Sequence, residues 1–143
     1  MKADVKRFVL DASVAVAWCF PDESTPFTEG VLGLFAHGAQ AIAPCIWPLE
    51  VANALVAGER RERISMAQTT ILLDRIAHLA ITVEGSDPAR SFSEIVSIAR
   101  QEHLTPYDAA YAELALRLAL PLATLDDELR SAAQRVGIPL VSI

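Results

Sequence analysis

The chain lacks most of what marks the commoner enzyme and scaffold classes. It has two cysteines, Cys19 and Cys45, with no metal-ligand spacing between them. That argues against a disulfide framework, and both are read as buried small hydrophobes. Its three histidines, His37, His78 and His103, do not pair at the spacing of a zinc site and are expected at helix ends. There is no glycine-rich phosphate loop and no serine in a nucleophile-elbow setting. No apolar stretch is long and pure enough to cross a bilayer. Lys2, Lys6 and Arg7 are not followed by a long apolar region or a small-residue cleavage site, so a cytoplasmic protein without a membrane association is expected. Repeats, low-complexity segments and linkers are also missing. The 143 residues are therefore expected to form a single domain, 1–143, around one sizeable core.

What is present is apolar and acidic. Hydrophobic residues make up 52% of the chain, too many for disorder. The net charge of −6 argues against generic adherence to nucleic acid, which needs basic surface. It leaves room for a nuclease, because metal-binding carboxylates add negative charge that bound cations neutralise. The local run Arg60, Arg61, Arg63 suits bidentate phosphate contacts, but it is interleaved with Glu59 and Glu62 and reads first as a solvated helix end.

The stretch Phe8-Val9-Leu10-Asp11-Ala12-Ser13 organises the rest. Three apolar residues without polar alternation predict a strand covered on both faces, as in parallel sheets. Open parallel sheets place ligands beyond their carboxyl ends, where Asp11 falls. Further strands are expected at Ala41–Pro44, Ile81–Val83, Pro121–Thr124 and Pro139–Ile143, with helices between them. The fold class is thus α/β, with a mainly parallel sheet of roughly five strands.

Three other acids stand at equivalent positions. Glu50 and Asp108 each lie two residues after a helix-opening proline, Pro48 and Pro106. The helix dipole alone favours an acid there, by about 0.3–1 kcal/mol. Small residues below each acid at helical steps argue for more: Asn53, Ala54 and Ala57 below Glu50, and Ala112, Ala115 and Ala119 below Asp108. They place each acid above a face packed closely on a neighbour. Glu113 and Arg117 are expected elsewhere, as a solvated pair. Asp126 ends a predicted strand as Asp11 does, and either it or Asp127 caps the helix before Leu129.

Four carboxylates converging on one site repel each other, and a hard cation relieves this. Mg²⁺ binds through a few carboxylates and waters, and Mn²⁺ accepts the same donors. Such an ion activates water and neutralises charge on a scissile phosphate.

At Val9-Leu10-Asp11-Ala12-Ser13, Glu50-Val51-Ala52-Asn53-Ala54-Leu55, Thr105-Pro106-Tyr107-Asp108-Ala109-Ala110-Tyr111 and Leu122-Ala123-Thr124-Leu125-Asp126 the chain resembles the PIN-domain family, and within it the VapC-type toxins of toxin–antitoxin pairs. The resemblance covers essentially the whole chain. It implies a three-layer α/β/α sandwich and a metal-dependent ribonuclease acting on RNA. Asp11, Glu50, Asp108 and Asp126 match the family's acidic quartet, with Asp11 and Asp108 the positions most consistently regarded as Mg²⁺ ligands. Ser13, Asn53 and Thr124 match supporting polar positions. The doublet Asp126-Asp127 departs from the pattern and leaves Asp127 a second choice for the fourth acid. The resemblance also implies a homodimer and a small cognate antitoxin protein.

Two other readings are weighed against this one. A non-catalytic PIN-like module would bind protein or RNA without cutting it. A phosphoryl-transfer enzyme would use Asp11 as covalent nucleophile, but Ser13 stands where a second acid is expected and no late lysine is available. Trp18, Phe20, Phe27 and Phe35 are read as core residues, although the same helices are where an antitoxin segment would pack.

Overall fold

In the computed structural model, which describes residues 4–143, Phe8, Val9 and Leu10 have no solvent exposure at all. They form β1 (Arg7–Leu10), the strand that the sheet is built around. Lys2 lies outside the described residues. Beside β1 runs β2 (Gln40–Ala43), then β3 (Ile81–Val83). On its other side runs β4 (Leu122–Ala123). All pairings are parallel, in the order β3-β2-β1-β4. Val9 pairs with Ile42 on one side and Leu122 on the other.

This order fixes where a site can form. From β1 the chain moves outward through β2 to β3, then returns to place β4 on the opposite flank of β1. The direction of winding therefore reverses between β1 and β4. Open α/β sheets leave a crevice at the carboxyl ends of the strands flanking such a reversal. Asp11 follows β1 and Thr124 follows β4, so both stand at that crevice.

The helices follow their sequence signals. They are α1 (Ala12–Cys19), α2 (Pro26–Ala36), α3 (Trp47–Arg60), α4 (Met66–Ala77), α5 (Pro88–Arg90), α6 (Val96–Glu102), α7 (Pro106–Leu118) and α8 (Asp127–Val136). Thr25 and Ser65 close capping boxes at the starts of α2 and α4. Gly137, at φ 81°, ends α8 in the left-handed conformation that glycine adopts without strain. The segment after Asp87 departs from one regular helix: a π-helical turn, Ser91–Ile95, joins α5 to α6. Helix α1 packs on α2 and α3, and α7 packs on β1, β4, α6 and α8. The result is the expected α/β architecture, a parallel sheet flanked by helices.

Several expectations need correction. The sheet has four strands among the described residues, not five. Pro139–Ile143 adds only a single parallel bridge, between Leu140 and Leu122. β4 is two residues long and Pro139 has no N–H to donate, so no longer ladder can form there. Cys19 is buried as read, but Cys45 is exposed. Glu113 and Arg117 do pair, at 2.8 Å, yet Glu113 is buried and is also 3.3 Å from Arg90. Arg117 reaches Glu84 at 2.7 Å as well, so this is a network closing one side of α7 and not a solvated pair. Of the arginine run, Arg60 and Arg61 are exposed, whereas Arg63 pairs with Asp22 and Glu23.

The aromatic residues of α1 and α2 are structural. Trp18 donates its indole N–H to the Thr28 carbonyl at 2.8 Å and meets Phe35 edge-on. Phe20 is almost fully buried, with the Arg63 guanidinium 4.2 Å above its ring. Gly58 in α3 faces that ring. A Cβ there would stand 2.7 Å and 2.8 Å from two Phe20 ring carbons and 3.1 Å from Ile64. Alanine would gain about 1 kcal/mol of helix propensity, but a ring pinned between helix and guanidinium cannot withdraw, and overpacking costs about 1–3 kcal/mol. Gly58→Ala should therefore lower stability by on the order of 1 kcal/mol in urea unfolding. An unchanged or raised midpoint would mean that the ring moves freely.

Candidate active site

Asp11 takes the capping position before α1 but does not cap it. Its carboxylate turns instead to two hydroxyls. Ser13 donates to Oδ2 at 2.6 Å and Thr124 donates to the same oxygen at 2.7 Å. Each hydroxyl also accepts a backbone N–H from the segment between β4 and α8. Leu125 N–H reaches Ser13 at 3.0 Å and Asp126 N–H reaches Thr124 at 3.0 Å. The ends of β1 and β4 are thus tied through one carboxylate oxygen. Asp11 is 5% exposed and Thr124 is fully buried, so the bond between these two operates away from water.

The other three acids arrive from separate elements. Glu50 lies in the first turn of α3, half-buried. Its Oε1 accepts the Tyr111 hydroxyl at 2.6 Å. Asp108 lies in the first turn of α7, half-buried, where its own N–H bonds the Thr105 cap at 3.2 Å. Asp126 caps α8 by accepting the Leu129 N–H at 2.8 Å. It therefore does both things weighed for the acidic doublet: it caps the helix and stays at the crevice. Asp127 is exposed on the first turn of α8.

Electrostatics link the four. Burial pushes Asp11 above the usual carboxylate range, the hydroxyls of Ser13 and Thr124 oppose the shift, and Asp126 adds to it. Burial raises Glu50 too, against the Tyr111 hydrogen bond, with further repulsion from Asp11 and Asp108. Asp108 is pushed up to about 6, first by burial and then by Asp126 and Asp11. No basic side chain is among the causes acting on Asp11, Glu50 or Asp108. Asp127 is not among the main causes of these shifts. The crevice thus concentrates negative charge: among the described residues no basic side chain pairs with these three carboxylates, and Arg130 spends its guanidinium on the Thr124 carbonyl at 3.0 Å. Among the described residues, no three His, Cys, Asp or Glu side chains stand close enough together to enclose a metal ion as they are.

The supporting positions divide. Ser13 and Thr124 bond Asp11 directly. Asn53 is exposed on α3, one turn after Glu50. The face of α3 below Glu50 is not packed as the small residues suggested. Its buried stripe is Trp47, Val51, Leu55 and Gly58, leaving Ala54 and Ala57 half-covered. In α7 the stripe holds at Ala112 and Ala115, while Ala119 is exposed. In the sequence Tyr111 stands only as the last residue of the stretch Thr105–Tyr111. Its spacing could have marked it, since it lies three residues after Asp108 and so on the same side of α7.

Comparison with known proteins bears on this arrangement. A family model described as PIN domain matches residues 8–135. Among solved structures, the crystal structure of PAE2754 from Pyrobaculum aerophilum superposes with a TM-score of 0.68 at 24% sequence identity. The match covers 92% of this chain and 87% of that one, and at this identity it shows the fold alone. A search of the curated proteins found no match.

The crowding of Asp108 has a consequence for stability. Its raised pKa means that the metal-free fold favours the protonated acid. The stability tied to this group is complete below its ordinary value of 3.8 and is lost as pH rises through about 6. Asp108→Asn removes the penalty. The metal-free variant should exceed wild type at neutral pH by roughly 1 kcal/mol, allowing for partial exposure. The gap should close near pH 4, as read by urea unfolding at both pH values. Equal stabilities at neutral pH would mean that Asp108 is not crowded.

Proposed function

The chain belongs to the PIN-domain family, and from that premise we propose that it is a Mg²⁺-dependent endoribonuclease, the toxin of a toxin–antitoxin pair. PIN domains are in general nucleases that use divalent metals such as Mg²⁺ or Mn²⁺. The observation that carries the finer reading is the set of four carboxylates from four separate elements. Like charge raises three of them, Asp11, Glu50 and Asp108, and no salt bridge offsets these three among the described residues.

That donor set suits a hard divalent cation. It is all oxygen, and mutual repulsion gives it a reason to take up positive charge. Mg²⁺ keeps several waters and needs only one or two direct carboxylates, so the donors need not form a closed cage beforehand. In this reading Asp11 and Asp108 are the principal ligands, with Glu50 and Asp126 completing the charge. When bound, the ion supplies an activated water and neutralises charge at the scissile phosphate. The chain's own part is orientation. Ser13 and Thr124 fix Oδ2 of Asp11, the α8 cap fixes Asp126, and Thr105 sets the first turn that carries Asp108.

The same reading makes residues 1–143 one PIN unit working in the cytoplasm. It pairs with a second copy of itself and is held inactive by a small cognate antitoxin. A second reading is a binding module of the same fold that holds protein or RNA without cutting it. Cleavage separates the two. Total RNA incubated with the protein and Mg²⁺ should be cut at defined sites. Asp11→Asn should cut at least about 100-fold more slowly while keeping its fold. Excess chelator should stop the wild type. Undiminished cutting by Asp11→Asn, or in chelator, would refute the nuclease mechanism.

A further inference from the structure

We propose that Tyr111 is a positioning residue that holds the Glu50 carboxylate in place for a divalent cation, coupling three elements through one hydroxyl. The proposal rests on the metal-site reading above and concerns a residue outside the acidic quartet.

Tyr111 is the largest fully buried side chain among the described residues. Filling that space requires only a ring, and phenylalanine would supply one. The hydroxyl is the part that calls for explanation. It gives its proton to Glu50 Oε1 at 2.6 Å, joining α7 to α3. It also accepts the Ala12 N–H at 3.4 Å, joining α7 to the start of α1. Ala12 follows Asp11 directly, so the hydroxyl touches the backbone next to one acid and the side chain of another.

The direction of the two bonds matters. The Ala12 N–H belongs to the first turn of α1, whose free N–H groups form the positive end of the helix. A hydroxyl that accepts from such a group becomes a better donor itself. The 2.6 Å bond to Glu50 lies in the range of a hydroxyl bound to an ionised carboxylate.

Glu50 needs such a hold. It is a long, flexible side chain in the first turn of a helix, and Asp11 and Asp108 both repel it. Among the described residues its carboxylate has no other hydrogen-bond partner. Without the tyrosine, repulsion and rotamer freedom both favour a swing toward solvent. With it, Oε1 is anchored and Oε2 is left for a ligand. Asp11 is held comparably by Ser13 and Thr124, so the two acids are served by different hydroxyls.

The test is calorimetric titration of Mn²⁺ alone into the full chain as wild type, Tyr111→Phe, Glu50→Gln and the double variant. Tyr111→Phe should bind Mn²⁺ about 10-fold more weakly, the low end of what losing a ligand-orienting group costs. The double variant should bind no more weakly than Glu50→Gln, because the tyrosine acts through that carboxylate. A purely structural hydroxyl would lower the unfolding midpoint and leave this coupling at zero. Wild-type affinity in Tyr111→Phe, or losses that simply multiply in the double variant, would overturn the proposal alone. A wild type that binds no Mn²⁺ would overturn the metal-site reading and this proposal together. Should Tyr111→Phe not fold, the wild-type tyrosine absorption gives a second readout. The chain has two tyrosines, so a Mn²⁺-induced shift should survive Tyr107→Phe and vanish in Glu50→Gln. No shift in wild type, or one lost with Tyr107, would overturn the proposal.

Discussion

One oxygen of one buried carboxylate holds the crevice together. Asp11 Oδ2 accepts hydroxyls from Ser13, on its own helix, and from Thr124, at the end of the neighbouring strand. Both hydroxyls take backbone N–H groups from the loop that follows β4. The sheet's reversal between β1 and β4 would otherwise leave two strand ends free to splay. With these bonds, the loop leading to Asp126 is set by the position of Asp11. The fully buried Phe8, Val9 and Leu10 of β1 fix that position in turn, through pairings on both sides of the strand.

The rest of the acidic site is a balance between this hold and repulsion. Burial and like charge push Asp11, Glu50 and Asp108 toward their neutral forms. Local hydrogen bonds push the other way, from hydroxyls of Ser13 and Thr124 to Asp11 and of Tyr111 to Glu50. Asp108 is pushed up to about 6, with Thr105 opposing the shift. Elsewhere the chain neutralises its buried acids. Glu113 is met by Arg90 and Arg117, and Glu102 by Arg135 at 2.8 Å. The contrast is informative: arginines pair with the structural acids, and among the described residues none pairs with these three. A concentrated, uncompensated charge is costly unless a cation arrives.

The parts legible in the sequence are those written locally. A continuous apolar run names β1 and the acid at its end. Proline and hydroxyl caps name the starts of α2 and α7, and a glycine names the end of α8. What was not legible depends on partners distant in the chain. Glu113 looks like half of a surface i,i+4 pair until Arg90 and Glu84 close over it. Cys45 looks like any small hydrophobe until its turn proves to face solvent. The face of α3 below Glu50 is rich in small residues, yet the helix turns a different stripe inward, because Trp47, Val51 and Leu55 have more apolar area to bury. The final strand reads as regular until one notices that its partner is only two residues long. Tyr111 carries a ring that any core would accept, and its hydroxyl gains meaning only when Glu50, far back in the chain, is seen at its tip.

On the proposed function, this cluster of carboxylates exists to take up a divalent cation. The most direct check is thermal unfolding at neutral pH, with chelator and then with rising Mg²⁺. Binding to the folded state alone should raise the wild-type midpoint progressively, by the equivalent of about 2.7 kcal/mol at 100 times the dissociation constant. In Asp11→Asn the rise should be lost. A wild-type midpoint that ignores both Mg²⁺ and Mn²⁺ across that range would contradict the account.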